Sequence, residues 1–241
     1  MADVFRRAGQ GFRERRAGTL DAVALRVMDR IGRCRTPALG GVAYRCAGCG
    51  HAHAVRKSRR DRHCPSRRGA AAGGWMDRQA DGILPVPYFH VVFTLPRPVA
   101  RIALQNRGTV LGIPFRTAAG TLRTIGADPA RFGAGTGGTA VLHTWNQRME
   151  WHPHPHCLAP NAGFDVATGK WKVGSDRFPA PARVLASRFR RRFAGELSKA
   201  RADGRLAFHG SIAHLAHPRA FARGMKPVRR TNRNVCRVWR T

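Results

Sequence analysis

Four stretches of the chain carry hydrophobic residues at roughly helical spacing, namely 1–33, 69–84, 98–126 and 180–204. In the last stretch the large apolar residues lie four apart, with Arg and Lys between them, at Leu185, Phe189, Phe193 and Leu197. This pattern predicts a helix with a basic outer face. Pro114 interrupts the third stretch. Because proline lacks an amide hydrogen and clashes with the preceding turn, we expect two helices there, or one kinked helix.

The remaining hydrophobic patterns predict strands. Residues 87–96 are β-branched and aromatic between two prolines, which indicates a buried strand. Residues 137–151 and 154–160 are expected to form paired strands, and residues 161–174 a hairpin. Beyond Arg229 the sequence "RTNRNVCRVWRT" shows no sustained period, so no packed element is predicted for it.

The charge of the chain points to a polyanionic partner. Against 44 Lys and Arg stand only 13 Asp and Glu, a formal net charge of +31. This imbalance is far larger than solubility requires. No run of about 18 apolar residues occurs and the N-terminus lacks the apolar segment of a signal peptide, so we expect neither membrane spanning nor secretion. The expected location is intracellular.

Two groups of arginines are candidate phosphate ligands. One lies in the cysteine-rich region and the other on the predicted helix near the C-terminus: Arg59, Arg60, Arg62, Arg190, Arg191 and Arg192. A run of charges is also typical of an ordinary solvated helix face, and the sequence leaves both interpretations open.

A cluster of cysteines predicts a metal site in the N-terminal third. Four of the six cysteines fall within 31 residues, at Cys34, Cys46, Cys49 and Cys64, and His63 adds an imidazole. In a reducing compartment such spacing favours zinc over disulfides. The segment is poor in apolar residues and cannot be held together by burial alone. A closed set of four ligands is typical of structural zinc.

The segment "WHPHPHCLAP" places His152, His154 and His156 at alternate positions. In a strand these three side chains would share one face and could share one cation. The alternative is a surface loop, because proline within a central strand removes a hydrogen bond of the sheet.

The order of these segments resembles the transposases of insertion sequence ninety-one, the rolling-circle group of HUH nucleases. The cysteine cluster, "LPVPYFHVVFTLP", "IALQN", "TAVLHTW" and "HPHCLAPNAG" carry the resemblance, which extends from Met1 to Arg230. It implies an α+β fold, with a small N-terminal zinc-binding module followed by an incomplete ferredoxin-like antiparallel-sheet HUH domain. The expected domains are a helical lead-in with the zinc-binding DNA module (1–82), a partial HUH domain (83–230) and an unrelated tail (231–241).

The resemblance also implies roles for individual residues. The two histidines of the HUH motif fall on His154 and His156, which would hold a divalent cation such as magnesium or manganese that polarises the scissile phosphate. A tyrosine from a later helix would attack that phosphate and become joined to the DNA 5′ end. A third metal ligand is usual, and the sequence does not rank the candidates His152, Gln147 and Glu150.

The chain departs from the family in two respects. Its two tyrosines, Tyr44 and Tyr88, both precede the histidines, and neither matches the position of the family's nucleophile. Arg59 and Arg67 stand where the family has cysteines, so a weakened zinc site is expected. Together with the abrupt change of sequence at the C-terminus, these differences favour a truncated, inactive copy.

The sequence is thus compatible with two main functions. The first is a rolling-circle transposase that nicks and transfers single-stranded DNA at element termini. The second is a non-catalytic DNA-binding module that uses arginines and base-stacking aromatics such as Trp145, Trp151 and Trp171, unless these belong to the core. A ribosomal type of RNA-binding protein shares the charge but does not account for the histidines. We expect action in the bacterial cytoplasm at the nucleoid, with no membrane partner; the oligomeric state is not predicted.

Overall fold

The computed structural model describes residues 2–18, 20–58, 65–95, 97–148, 150–175, 177–178, 180–230 and 236–240. Two compact units make up the chain, Met1–Ile83 and Leu84–Thr241.

The first unit begins with two helices and contains one hairpin. Its elements are α1 (Ala2–Arg15), α2 (Ala22–Arg33), β1 (Gly41–Arg45), β2 (Ala52–Arg56) and α3 (Pro65–Ala80). The helices predicted over 1–33 and 69–84 are therefore present. Gly18, at a φ of 79°, separates α1 from α2, because glycine adopts the left-handed region without steric cost. Asp21 then starts α2 by accepting a hydrogen bond from the Ala24 amide at 2.6 Å.

The second unit contains the larger sheet. Its strands are β3 (Tyr88–Phe93), β4 (Thr139–Trp145), β5 (Trp151–Pro160), β6 (Ala162–Asp165), β7 (Lys170–Val173) and β8 (Cys236–Arg240). Its helices are α4 (Arg97–Gln105), α5 (Arg107–Val110), α6 (Gly112–Ala127), α7 (Ala182–Ala202) and α8 (Pro218–Arg230). The predicted strands at 87–96, 137–151 and 154–160, the hairpin and the long basic helix are all present.

The main sheet is antiparallel throughout, in the order β4-β5-β3-β8, and β6 and β7 form a separate two-stranded sheet. Helices pack against one face of the main sheet: Phe93 of β3 stacks on Phe189 of α7 with ring centroids 4.6 Å apart. The four apolar residues predicted to line α7 are all buried, at Leu185, Phe189, Phe193 and Leu197. The combination of helices with an antiparallel sheet confirms the predicted α+β class.

The helical stretch near Pro114 differs from the prediction. The breaks lie at Asn106 and Leu111, before the proline, and Pro114 sits in the first turn of α6. Amide groups in the first turn of a helix have no partner within the helix, so a proline there removes no hydrogen bond and introduces no kink.

The prediction for the C-terminal tail was wrong. Residues Cys236–Arg240 form β8, which pairs antiparallel with β3 and sets Val238 opposite Val91. A strand of five residues is too short to show a period, and its place is set by main-chain hydrogen bonds to β3, which leave no pattern in the sequence.

Candidate metal centre and nucleic-acid interface

Strand β5 presents its histidines on one face of the sheet. His154 and His156 are half-buried, whereas Pro153, Pro155 and Cys157 between and beyond them are buried against the opposite face. His156 lies opposite Val92 of β3 in the antiparallel pair. The segment is thus a strand rather than a loop, with the two histidines on the same side as the alternation predicts.

The register of the sheet accounts for the prolines in β5. Strand β3 pairs with β5 only from His156 to Pro160, whereas β4 pairs with it from Trp151 to Leu158. Pro153 and Pro155 therefore lie where β5 has a single paired neighbour. Proline is tolerated at such an edge because its missing amide hydrogen can face away from that neighbour.

A third histidine, His143 of β4, completes the cluster. His143 lies directly opposite His154 in the β4–β5 pair, and its ring centroid is 3.9 Å from that of His156. One nitrogen atom from each of the three rings lies within 4.8 Å of the others. Three imidazoles at this separation can share one cation.

The three-histidine group does not include any of the three residues that the sequence offered as a third ligand. His152 and Glu150 are not in the cluster, and the Glu150 carboxylate accepts a hydrogen bond from Asn146 at 2.6 Å. Gln147 lies in the exposed turn between β4 and β5. The correct residue depends on which positions of β4 and β5 face each other, and the sequence alone does not fix that register.

In His154 and His156 one ring nitrogen is engaged by a neighbour, which leaves the other ring nitrogen available as a metal ligand. His154 Nδ1 donates to the main-chain oxygen of His152 at 2.6 Å, so its Nε2 carries a lone pair. His156 Nδ1 lies 2.8 Å from Nε2 of His90 on β3. Among the described residues His156 Nε2 is buried with no hydrogen-bond partner. This arrangement is typical of histidines that bind metal through one ring nitrogen and donate the other ring N–H to a neighbouring group.

Burial favours the neutral imidazole form of His143 and His156. Burial, followed by the neighbouring rings of His143 and His154, lowers the pKa of His156 to about 4. Burial also lowers the pKa of His143, with smaller effects of His154 and His90. Neutral imidazole is the form that binds metal, so at neutral pH no proton competes with a cation at His156.

The hydroxyl of Tyr88 is engaged in a hydrogen bond at the start of β3, away from His156. Tyr88 is on β3, four residues before Val92, which faces His156; at 3.3–3.4 Å per residue its backbone lies roughly 13 Å away along the strand. Its hydroxyl accepts a hydrogen bond from the Leu84 amide at 3.0 Å. Tyr44 is exposed on β1 of the first unit.

The three tryptophans considered for base stacking differ in exposure. Trp145 and Trp171 are each 53% exposed. Trp151 is half-buried, donates from Nε1 to the Ala100 carbonyl oxygen at 2.9 Å and is covered by the Arg107 guanidinium at 5.2 Å. Trp151 is therefore a packed residue, whereas Trp145 and Trp171 each leave about half of their surface exposed.

A tight turn between β1 and β2 brings two cysteines together. The Gly50 amide donates to the Cys46 carbonyl at 2.9 Å, with Gly50 in the left-handed region at a φ of 70°. The Cys49 amide, then the Cys49 thiol and the Gly48 amide, donate hydrogen bonds to Cys46 and lower the pKa of its thiol. Stabilising the thiolate in this way suits a zinc ligand.

The other predicted zinc ligands do not complete this pair within the described part of the chain. Cys34 is buried at the end of α2, and among the described residues it does not form a three-ligand cluster with Cys46 and Cys49. His63 and Cys64 lie outside the described residues, as do Arg59, Arg60 and Arg62. Their predicted roles stay predictions.

The arginines of α7 separate into inner and outer positions. Arg190 is only 7% exposed, because it lies on the inner side of the helix next to Phe189, and burial lowers its pKa. The prediction that Arg190 contacts phosphate from the surface was therefore wrong. Arg191 and Arg192 are exposed.

Two family models match the sequence, and both describe transposases, which defines the class of the protein. Residues 4–95 match the transposase zinc-binding domain of IS91, and residues 137–238 match a domain described as a putative transposase. The chain belongs to the IS91 family of transposases. The second match includes residues 231–238 of the tail that was predicted to be unrelated to the family.

Two curated relatives have the same description. A putative transposase, y4qJ, of Sinorhizobium fredii is 44% identical over 230 residues, which are 95% of this chain and 58% of the relative. The transposase for insertion sequence element IS801 of Pseudomonas savastanoi pv. phaseolicola is 32% identical over 157 residues, 64% of this chain and 37% of the relative. The chain thus spans little more than half of the first relative and about a third of the second.

Among solved structures, the conjugative relaxase TrwC in complex with mutant OriT DNA is similar in fold. The similarity covers 46% of this chain and 44% of the relaxase chain. The identity is 20% and the TM-score 0.37. The metal-free structure of the same relaxase in complex with OriT DNA is 19% identical, with a TM-score of 0.35. This similarity covers 45% of this chain and 43% of the relaxase chain. Across the described residues, no helix combines the length and apolar character needed to cross a membrane.

Proposed function

We propose that the chain binds single-stranded DNA and holds one of its phosphates at a divalent cation, as the DNA-binding and metal-binding part of a rolling-circle transposase. The observation that carries the proposal is the convergence of His143, His154 and His156, with ligand atoms within 4.8 Å of one another, in a chain of net charge +31. The proposed setting is the bacterial cytoplasm, where the DNA of an insertion element lies.

The three histidines fit a divalent cation. His154 and His156 each have one ring nitrogen occupied by a neighbour, so the other nitrogen can coordinate without a change of hydrogen bonds. A bound magnesium or manganese ion would polarise a phosphoryl oxygen as a Lewis acid. Trp145, which is 53% exposed at the end of β4 and packs edge-on against Trp151, offers ring surface on which a DNA base could stack.

The cysteine region serves a structural zinc ion in this proposal. Cys46 and Cys49 provide two thiols from one turn, and Cys34, His63 and Cys64 are the proposed sources of the rest. All five residues of β1 and of β2 are exposed, so burial contributes little to the hairpin and a metal would stabilise it instead.

The position of the tyrosines favours binding without covalent attachment. The hydroxyl of Tyr88 is bonded to the Leu84 amide, and neither Tyr88 nor Tyr44 matches the position of the family's nucleophile in the sequence. Cutting by the family's route needs a nucleophile as well as a metal. The chain by itself is therefore proposed to bind and orient DNA but not to form a phosphotyrosine bond.

The experiment compares the wild-type chain with a His154→Ala, His156→Ala double variant. Manganese binding is measured by calorimetry, and binding to fluorescent single strands with element-terminus sequence is measured with and without manganese. We expect tighter DNA binding with manganese in the wild type and no such effect in the double variant. A covalent adduct that survives denaturation would contradict the non-covalent proposal, and equal manganese binding by both proteins would contradict the metal site.

A further inference from the structure

A basic groove lies between α6 and α7, where three arginines outnumber one carboxylate. A depression of about 560 Å³ is lined by Arg123 of α6 and by Arg188 and Arg192 of α7. Asp128 is the single carboxylate in its lining, and its side chain accepts a hydrogen bond from the Ala130 amide at 3.0 Å. We call these three arginines and the surface between them the arginine groove.

The arginines of this groove stand close together without acidic partners. Arg188 and Arg192 are four residues apart on α7, so their Cβ atoms are about 5–6 Å apart and their like charges destabilise the helix slightly. Neither they nor Arg123 form an ion pair with any acidic side chain of the described residues. By contrast, Arg116 at the neighbouring cavity is neutralised by Glu196, with Nη2 to Oε2 at 2.8 Å.

One guanidinium of the groove is held in place. Arg192 Nη2 donates to Thr124 Oγ1 at 2.6 Å. Its Nη1 would lie only 3.1 Å from a Cβ added to Gly120, so the guanidinium rests against the backbone of α6 where a side chain would interfere. An arginine fixed in this way loses less entropy on binding an anion than a freely rotating one.

The groove lies on the opposite side of the sheet from the histidine cluster. The adjoining cavity, which shares Arg123 and Arg192 with the groove, is lined by Ala140 and Cys157, which face each other across β4 and β5. Cys157 follows His156 and so points to the other face of the strand. A phosphate at the histidines and a phosphate in the groove therefore belong to different stretches of DNA.

We propose that the arginine groove binds the phosphates of a DNA segment other than the one held at the histidines. This inference rests on the proposed function, because it assumes that DNA is the ligand of the histidine face. Phosphates in the groove would relieve the repulsion among the three arginines and provide the salt-sensitive part of the affinity. The histidine face would determine where the strand is held, and the groove would hold the DNA that flanks it.

The test removes the charge of the groove and compares the result with an equal loss elsewhere. The groove variant is Arg123→Gln, Arg188→Gln, Arg192→Gln, and the control is Arg219→Gln, Arg223→Gln, Arg229→Gln on the exposed side of α8. A third variant with lysine at the three groove positions keeps the charge. All are measured with manganese present, on single-stranded DNA of about 6 and about 30 nucleotides.

For the long DNA we expect the groove variant to lose about tenfold in affinity. The slope of log affinity against log salt should fall by roughly 2, since each phosphate contact on a single strand contributes about 0.7. In the control the slope should fall by less than half as much, and in the lysine variant it should stay close to the wild-type value. The short DNA should bind all variants alike. The thermal midpoint of the groove variant should change little, because removal of like charges offsets the loss of the hydrogen bond from Arg192 to Thr124.

Equal losses in the groove variant and the control would overturn the proposal, as would a loss on short and long DNA alike. Tighter groove-dependent binding of RNA of the same sequence would overturn the assignment to DNA. If the histidine cluster binds no manganese but the groove variant alone loses affinity for long DNA, the metal-site proposal fails and the groove proposal stands. If the manganese effect is intact and the groove variant behaves like the control, the groove proposal fails and the metal-site proposal stands.

Discussion

His90 should control the metal affinity of the histidine cluster although it is not one of the three grouped histidines. Its Nε2 lies 2.8 Å from His156 Nδ1. If His156 Nε2 is to offer a lone pair to a cation, Nδ1 must carry the proton and donate it to His90. The perturbation is His90→Leu, which removes this acceptor and leaves the buried Nδ1 without a partner.

The expected size of the effect follows from the role of His90. Removing a group that orients a metal ligand typically costs 10–100-fold in metal affinity, which corresponds to about 1.4–2.7 kcal/mol. His90→Gln retains an acceptor oxygen and should recover most of the loss. His214→Leu, at an exposed histidine of the same unit, is the matched control and should leave manganese binding unchanged.

Two measurements check this reasoning. Calorimetry with manganese gives the affinity of each variant, and nitrogen-15 NMR of the imidazoles reports which ring nitrogen of His156 carries the proton. We expect the Nδ1–H tautomer in the wild type and in His90→Gln, and a mixture in His90→Leu. Unchanged manganese affinity in His90→Leu, or a wild-type His156 protonated on Nε2, would refute the argument.

Further predictions concern the rest of the site. His143→Ala should abolish manganese binding measured by calorimetry, whereas His152→Ala should reduce it little; the opposite order would restore His152 as the third ligand. Because the pKa of His156 is about 4 in the folded chain against an ordinary 6.5, the unfolded chain takes up its proton first as pH falls. Urea unfolding of metal-free protein should therefore show stability lost between about pH 6.5 and pH 4 and level above that range, and His156→Gln should weaken this dependence. Cys46→Ser should lower the zinc content of the purified chain, and zinc content equal to that of the wild type would exclude Cys46 as a ligand. Tyr88→Phe should bind terminus DNA as the wild type does, and loss of a denaturation-resistant adduct in that variant would show that Tyr88 is a nucleophile.

Regular periods in the sequence predicted much of the fold. The spacing of Leu185 and its three successors determined α7 and its buried face, and the alternation in "WHPHPHCLAP" determined which histidines share a side of β5. Both features are local, because a helix or a strand fixes the directions of its own side chains.

The parts that the sequence did not predict depend on pairing between distant segments. His143 joins the cluster because β4 and β5 align it with His154, and His90 contacts His156 because β3 lies on the other side of β5. In the sequence Arg190 cannot be distinguished from its neighbours Arg191 and Arg192, but the helical period of 3.6 residues places it on the inner side of α7. A local signal for His143 was present in "TAVLHTW", a predicted strand with one histidine next to the histidine strand.

The pairing of β3 with β8 has a consequence for the synthesis of the chain. Strand β3 receives β5 on one side and β8 on the other, and β8 sets Cys236 opposite Phe93. At 5–20 residues per second, on the order of ten seconds pass between the emergence of Phe93 and that of its partner. During that interval one edge of a strand rich in valine and phenylalanine has no neighbour within the chain, and such an edge can recruit a strand of another molecule. A chain whose synthesis ends just before β8 would keep this edge of β3 unpaired, and we expect such a product to collect in inclusion bodies.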